Sequence, residues 1–461
     1  WDWKEKFPAQ SEMLEYLQHV ADRFDLGRHY TFNSIVSSAV FDEEAGLWDI
    51  RTNEGDHLRA KYFVSCVGVL SAANRLSIDG LADFKGESVY TASWPEGGVD
   101  FAGKRVAIIG TGSSGVQLTP EVAKTAEKLV VFQRTPNYVV PSVNAELDDS
   151  KRAAIRDERD ETQRRVRTSA FAMPYQFTGR LALDFPEDER RQIFEEAWAK
   201  GGFRFMIESF DDITSDKAAN DTASEFIRGK IKEIVKDPAT AESLCPSYPY
   251  GVKRPPSGNG YYEAFNQENV ELVDVRTTPI VAITENGLRT QDREFDFDIL
   301  VYATGFDAVT GSIVRMDIRG RGNVVLADKW KAGPRTYLAM SVHEFPNFFM
   351  VGGPHYAGGN FPTVVEENTD WIAGLIEHAE RTGAARIEAT RQAEEEWTNH
   401  TNEVAEQTLI PAYGREAHSY NFGANVDGKT AAINVYLGGA QVFFDRCDAV
   451  AANGYEGFDL A

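Results

Sequence analysis

Two adjacent cations, Lys253 and Arg254, lie in the loop Tyr250-Gly251-Val252-Lys253-Arg254-Pro255-Pro256. A guanidinium stays charged at any working pH, so a fixed Arg can stabilise an oxyanion without protonating it. By residue type alone, the stretch reads first as a basic surface loop. A second candidate is the G-x-G-x-x-G run Gly110-Thr111-Gly112-Ser113-Ser114-Gly115. Gly110 permits a tight turn, Gly112 lets the backbone approach a pyrophosphate, and Gly115 lets a helix pack close on a strand. The helix N-terminus then offers free N–H groups to the phosphates. The third candidate is Arg134-Thr135, in Phe132-Gln133-Arg134-Thr135-Pro136. An NAD site places Asp or Glu there, about 20 residues past the turn, to bind a ribose hydroxyl. Arg134 cannot accept that bond, and its guanidinium suits a 2′-phosphate. The nucleotide expected is NADPH rather than NADH.

These residues need elements to hold them. Residues 103–145 read as a βαβ unit: a strand over Lys104–Ile109, a helix over Ser114–Ala126 and a strand over Leu129–Gln133. Upstream, residues 10–24 have the spacing of an amphipathic helix, with Leu14, Leu17, Val20 and Ala21 on one face. Ser11 and Glu12 signal its start and Gly27 its stop. Residues 30–65 alternate as a β-meander, and Tyr62–Gly68 reads as a short buried strand. Residues 146–245 are charge-rich with helical periodicity, an insertion of about five short helices. Strands return at Val270–Val273, Ile280–Ile283 and Phe297–Ala303. A further strand spans Phe348–Val351, followed by a Gly-rich loop and a helix from near Thr363. Residues 363–380 and 386–407 read as two long helices, and the tail from 430 as short strands and one helix. Strands alternating with helices predict an α/β fold.

Composition narrows the function. A chain of 461 residues with 42% hydrophobic and 26% charged content is an ordinary globular one, sized for about two or three domains. Its formal net charge of −23 repels nucleic acid and anionic membranes, so neither is an expected partner. Cys66, Cys245 and Cys447 are scattered and form no C-x-x-C, so neither disulfides nor a metal site is expected. No apolar run reaches about 18 residues and no signal peptide is visible, which points to the cytoplasm. Oligomeric state has no signal in the sequence.

Phe84-Lys85-Gly86-Glu87-Ser88-Val89-Tyr90-Thr91-Ala92-Ser93-Trp94-Pro95 precedes the glycine turn and reads F-x-G-x-x-x-Y-x-x-x-W-P. With G-x-G-x-x-G after it, this resembles the Baeyer–Villiger monooxygenases, flavoenzymes that insert oxygen beside a ketone carbonyl. The resemblance implies a flavoprotein with two dinucleotide-binding domains. Its NADP domain is Rossmann-like (96–145 and 246–290) and is interrupted by the helical insertion. Parts of its FAD domain flank it (1–95, signature included, and 291–461). It implies that Phe84, Gly86, Trp94 and Pro95 form the signature, and that Gly110 to Gly115, Arg134, Thr135 and Lys253 bind NADPH. Arg254 would lie over the flavin. Thr304 and Gly305, at the end of the Phe297–Ala303 strand, would return the chain to the FAD sheet. Tyr420, in Ser419-Tyr420-Asn421-Phe422-Gly423-Ala424-Asn425 before Gly428-Lys429, would belong to a loop closing over the nicotinamide. The implied chemistry uses FAD, NADPH, oxygen and a ketone: a peroxyflavin attacks the carbonyl, and carbon migration gives an ester or lactone. Aromatic and proline residues near 250–262 and 355–362 imply an apolar pocket for cyclic, aryl or steroidal ketones.

The sequence departs from the family at three points. Tyr90 stands where the signature has His, and Tyr420 where the loop usually has Trp. A first strand–G-x-G-x-x-G–helix unit, which cradles the FAD pyrophosphate in the family, does not occur before residue 80. The expectation is that the chain as written is a truncated reading of a longer enzyme and binds FAD poorly. Two other readings stand beside the first: an N- or S-oxygenating flavin monooxygenase, and an inactive NADP-binding remnant.

Overall fold

The structure is a computed structural model describing residues 1–461. Helix α1 (Gln10–Arg23) opens it, but not as its spacing suggested. Ala9 is the N-cap, Ser11 lies inside the helix, and the buried Glu12 accepts the Lys4 N–H at 2.9 Å. Leu14 and Leu17 are 46% and 56% exposed, so the apolar stripe is not core. The stop is Asp25, left-handed at φ 49°, rather than Gly27. The expected meander is present as β1 (Val36–Asp42), β2 (Leu47–Thr52) and β3 (His57–Ala60), followed by β4 (Phe63–Ser65). The signature lies on β5 (Glu87–Tyr90). The βαβ unit is β6 (Arg105–Ile109), α2 (Ser113–Ala123) and β7 (Lys128–Gln133).

The insertion has six helices where about five were expected: α3 (Asp149–Asp157), α4 (Arg159–Arg167), α5 (Glu187–Lys200), α6 (Arg204–Ile207), α7 (Lys217–Ile234) and α8 (Pro238–Leu244). Then come α9 (Tyr261–Ala264), β8 (Val270–Asp274), β9 (Ile280–Thr284), β10 (Gly287–Thr290), β11 (Glu294–Asp296) and β12 (Ile299–Tyr302). The remaining part holds α10 (Gly311–Val314), β13 (Asp317–Arg319), α11 (Leu326–Lys329), β14 (Phe348–Met350), β15 (Tyr356–Ala357) and α12 (Phe361–Thr382). Residues 386–407 are not one helix. They form β16 (Ile387–Ala389) and α13 (Arg391–Ala405), separated because Thr390 caps α13 by accepting the Ala393 N–H at 3.1 Å. The chain ends with α14 (Ile410–Tyr413), β17 (Val435–Tyr436), α15 (Ala440–Ala452) and β18 (Phe458–Leu460).

The central sheet is parallel, in the order β5-β12-β6-β7-β8. Both faces of its three central strands are covered, which explains why β12, β6 and β7 are mostly apolar and buried while the edge strands β5 and β8 carry Glu87, Ser88, Glu271 and Asp274. Val106, Ile108, Leu129 and Val131 pack against the helices, while Ala107, Ile109, Val130 and Phe132 pack against the β9–β11 meander. This sheet corrects the expected domain boundaries. The β12 strand does not return to the flavin sheet, and the β5 signature does not stay with the N-terminal part. β12 lies beside β6, the strand feeding the glycine turn, and β5 lies on the far side of β12.

The second body holds the β13-β1-β2-β3 sheet, the parallel β4/β14 pair and the C-terminal helices. Its core closes around Trp48, fully buried, with Nε1 donating to Pro346 O at 2.9 Å. Two antiparallel crossings join the bodies. The Asn74 N–H donates to Gly305 O at 2.9 Å, the Asp307 N–H to Ala72 O at 2.8 Å, and the Val309 N–H to Val69 O at 2.8 Å. No helix is long and apolar enough to cross a membrane.

Candidate active site

The glycine turn has the geometry its spacing predicts. At Gly110, φ is +112°, and a Cβ there would sit 2.4 Å from Ala303 O, the residue just after β12. A Cβ on Gly115 would lie 2.1 Å from Gly110 O, so this position holds α2 tight against the turn. At Gly112 a Cβ would meet nothing within 4 Å, so its backbone faces open space where a phosphate fits. Ser113 and Ser114 start α2 beside it. The Gly115→Ala variant is expected to lose about 1–3 kcal/mol of stability by overpacking, read by urea unfolding, and to weaken NADP+ binding with it.

Thr111 does a different job from the one expected. Its hydroxyl donates to Thr135 O at 2.8 Å, which ties the turn to the end of β7 and engages the Thr135 carbonyl, not its hydroxyl. Just before Thr135, Arg134 is exposed and makes no hydrogen bond or ion pair with the protein. Lys253 is likewise unpaired. Burial, and next the charge of Arg134, push its ammonium down to about 8. Two unpaired cations side by side on a chain of net charge −23 repel each other until an anion separates them.

The Lys253 loop is firmly built. Buried Asn220 donates to Tyr250 O at 2.7 Å and accepts the Tyr250 N–H at 3.1 Å. Gly251 turns at φ +83°, and the Ser419 hydroxyl donates to Val252 O at 2.8 Å. Arg254 follows. It is exposed and unpaired, with its guanidinium 5.2 Å from the centre of the Phe203 ring. Burial raises the Tyr356 and Tyr420 phenols above the usual tyrosine range, and the Arg254 charge opposes the rise at both. The Arg254 charge is therefore near enough to act on two aromatic residues of the second body, Tyr356 and Tyr420, which places it by the junction between the bodies.

Around that junction, Gly352 turns at φ +68°, and His355 is buried at φ +70° with Nδ1 2.9 Å from the Thr336 hydroxyl. Burial holds the His355 imidazole down to about 4, so it is neutral and structural. The N-terminal turn of α12 starts at Phe361, whose ring meets Tyr356 edge-on at 5.5 Å. The Tyr420 segment is clasped to the crossing. Lys429 pairs with Asp307 and donates to the Thr310 hydroxyl at 2.6 Å, and the Asn425 amide donates to Phe306 O at 2.6 Å.

The remaining candidates lie elsewhere. The Thr304 hydroxyl donates to Asn74 O at 2.6 Å and Gly305 is left-handed at φ +75°, so both help build the crossing, and a Cβ on Gly305 would meet nothing within 4 Å. Phe84 and Gly86 lie against β12 at the sheet edge, where a Cβ on Gly86 would sit 2.5 Å from Asp298 O. Tyr90 stacks on Tyr302 at 4.5 Å with the Arg75 guanidinium over its ring. Trp94 and Pro95 are exposed. None of the signature residues reaches Arg254. Tyr356 falls in the 355–362 stretch expected to line the apolar pocket, whereas Phe203 and His418 were not singled out from the sequence. Their only signal was an aromatic or imidazole side chain in a turn, which is common.

The residues present fit NADPH: an open glycine backbone, a helix N-terminus and two unpaired cations. For a flavin they supply one wall, formed by β4, β14, the Gly352 turn and the start of α12. The buried Ser65 hydroxyl at the end of β4 has no partner. The only strand–G-x-G-x-x-G–helix turn in this sequence is the one closed by Ala303.

Residues 2–147 match the flavin-binding monooxygenase-like family model. The chain is 44% identical over 455 residues to a Baeyer-Villiger monooxygenase of Pseudooceanicola batsensis, covering 98% of this chain and 82% of that protein. It is 42% identical over 462 residues to phenazine N-monooxygenase PhzNO1 of Lysobacter antibioticus, covering 100% and 84%. The crystal structure of cyclohexanone monooxygenase from Rhodococcus sp. Phi1 bound to NADP+ superposes with a TM-score of 0.96 at 44% identity, covering 100% of this chain and 86% of that one. Sequence, fold and cleft agree: the chain belongs to the Baeyer–Villiger monooxygenase family.

Proposed function

We propose that the protein is an NADPH- and FAD-dependent monooxygenase that converts a ketone into an ester or lactone. The overall balance is ketone, oxygen, NADPH and a proton giving ester, NADP+ and water. The observation that carries this reading is Arg254, an unpaired guanidinium held where the two bodies meet. Reduced flavin, when bound, supplies the activation of oxygen.

The chain's own residues do the rest. The Gly110–Gly115 turn and the N-terminus of α2 take the NADPH pyrophosphate through backbone N–H groups. Arg134 and Lys253 take the 2′-phosphate. Arg254 faces the ketone oxygen and holds the negative charge that develops there, with no reorganisation at the moment of reaction. Phe203 carries that guanidinium on its ring face. The Tyr356 and Tyr420 phenols stay protonated, because burial raises them, and so donate hydrogen bonds rather than add negative charge. Closure of the 419–429 segment excludes water.

Lys253 gives the binding a pH dependence. Its free ammonium is depressed to about 8, and a bound phosphate raises it. NADPH affinity is then complete below about 8 and falls as pH rises through the bound value. Titration of NADP+ between about pH 7 and pH 10 checks this, and Lys253→Arg should flatten the curve.

The phenazine N-monooxygenase relative favours a second reading, oxygenation at a ring nitrogen. Supplying the flavin-loaded enzyme with a cyclic ketone and, separately, a phenazine carboxylate decides between them. Lactone supports the first reading, and N-oxide without lactone supports the second.

A further inference from the structure

The segment bearing Tyr420 also reaches the other end of the nucleotide. Leu409 and Ala417 are buried in the same core as the central sheet, and the Leu409 N–H donates to Thr214 O at 3.1 Å. Ser419 is fully buried and fixed to Val252 O, immediately before Lys253. Between these anchors His418 is half-buried and left-handed at φ +50°, a conformation that non-glycine residues adopt at a cost and that clusters at ligand clamps. The Ser419 bond to Val252 O sets His418 alongside the Lys253 loop, near enough that the charges of Arg134, Lys253 and Asp427 act on the imidazole. Three basic groups from three separate segments thus lie within range of one another's charge, and neither Arg134 nor Lys253 has a protein partner.

We propose that His418 is a third ligand for the 2′-phosphate of NADPH, a titrating one delivered by the C-terminal segment. This rests on the NADPH reading of the Arg134–Lys253 pair. Without ligand, burial first, and then the charges of Arg134 and Lys253, hold His418 below its ordinary value, against a smaller opposing pull from Asp427 and from a backbone hydrogen bond at Ala424. A phosphate dianion between the three reverses the two cation effects and raises it. Binding therefore takes up a proton. The His418 contribution is complete below its free value and disappears as pH rises through its bound value, a window lower than that of Lys253. The same contact makes the position of the Tyr420 segment sensitive to the 2′-phosphate, so the segment distinguishes NADPH from NADH.

Isothermal titration of the whole protein with NADP+ and with NAD+, at about pH 6 and about pH 8.5, tests this. His418→Asn is the probe, because Asn tolerates the left-handed backbone and does not titrate. The expected loss for NADP+ is about tenfold at the lower pH and under about twofold at the higher, with NAD+ unchanged. The phosphate's own ionisation near pH 6 is common to both proteins and cancels in the ratio. Proton uptake, read from the dependence of binding heat on buffer, should fall in the variant at the lower pH. His418→Lys should bind NADP+ tightly at both pH values. An equal loss for NAD+, a loss independent of pH, or no loss overturns the proposal. Failure of the unaltered protein to bind NADP+ would instead overturn the NADPH reading beneath it.

Discussion

Arg254→Ala should leave NADPH oxidation running while ester formation falls by about 10²–10³-fold. The side chain makes no hydrogen bond or ion pair within the protein, so its removal strands no buried partner and the fold should survive. NADPH is held by other residues, and its oxidation needs only the nucleotide and the flavin. The ketone step differs, because negative charge develops on a carbonyl oxygen in a site that excludes water. A fixed cation there is worth several kcal/mol, and water cannot replace it once the cleft is closed. Arg254→Lys should recover only part of the loss. An ammonium lacks the planar face that rests on the Phe203 ring and loses its proton more easily when buried. Product yield per NADPH consumed, measured by gas chromatography, separates this outcome from a general loss of activity.

The second large effect concerns nucleotide choice. The Arg134→Ala and Lys253→Ala double variant should lose about 10³-fold of its preference for NADPH over NADH. Each charge-assisted contact contributes about 1.5–3 kcal/mol, and each 1.4 kcal/mol is about tenfold. Affinity for NADH should change little, since neither residue faces anything that NADH carries in place of the phosphate. Stability should hold or rise, because the variant removes two mutually repelling cations. The ratio of kcat/KM for the two nucleotides reads the effect. An equal fall for both would remove these residues from the 2′-phosphate site.

The two predictions rest on features of unequal legibility. The glycine turn was readable because each glycine answers a local steric demand, and the structure meets those demands with Ala303 O, Gly110 O and open space. Arg134 was readable from its count past the turn. Lys253 and Arg254 needed the family resemblance, since two cations before two prolines are otherwise a surface loop. The sheet assignments of β5 and β12 were misread because strand membership is a non-local property. An apolar run shows that both faces are covered, but not which neighbour it pairs with. Thr304 and Thr111 look like ligand hydroxyls in sequence, yet both are spent on backbone carbonyls 24 or more residues away. Phe203 and His418 were invisible for the same reason: their significance is a meeting of distant segments. The division of residues 386–407 was legible in principle, because Thr390 followed by Ala393 is a local cap that the periodicity hid.

The most direct measurement of the central claim follows the oxygen atom. The enzyme, its flavin content confirmed by absorbance, is supplied with NADPH and a cyclic ketone under oxygen-18 gas. A lactone carrying one labelled atom in the ring, formed in step with NADPH consumption, is the expected product. NADPH consumption with all the label in hydrogen peroxide, and no labelled lactone, would contradict the claim.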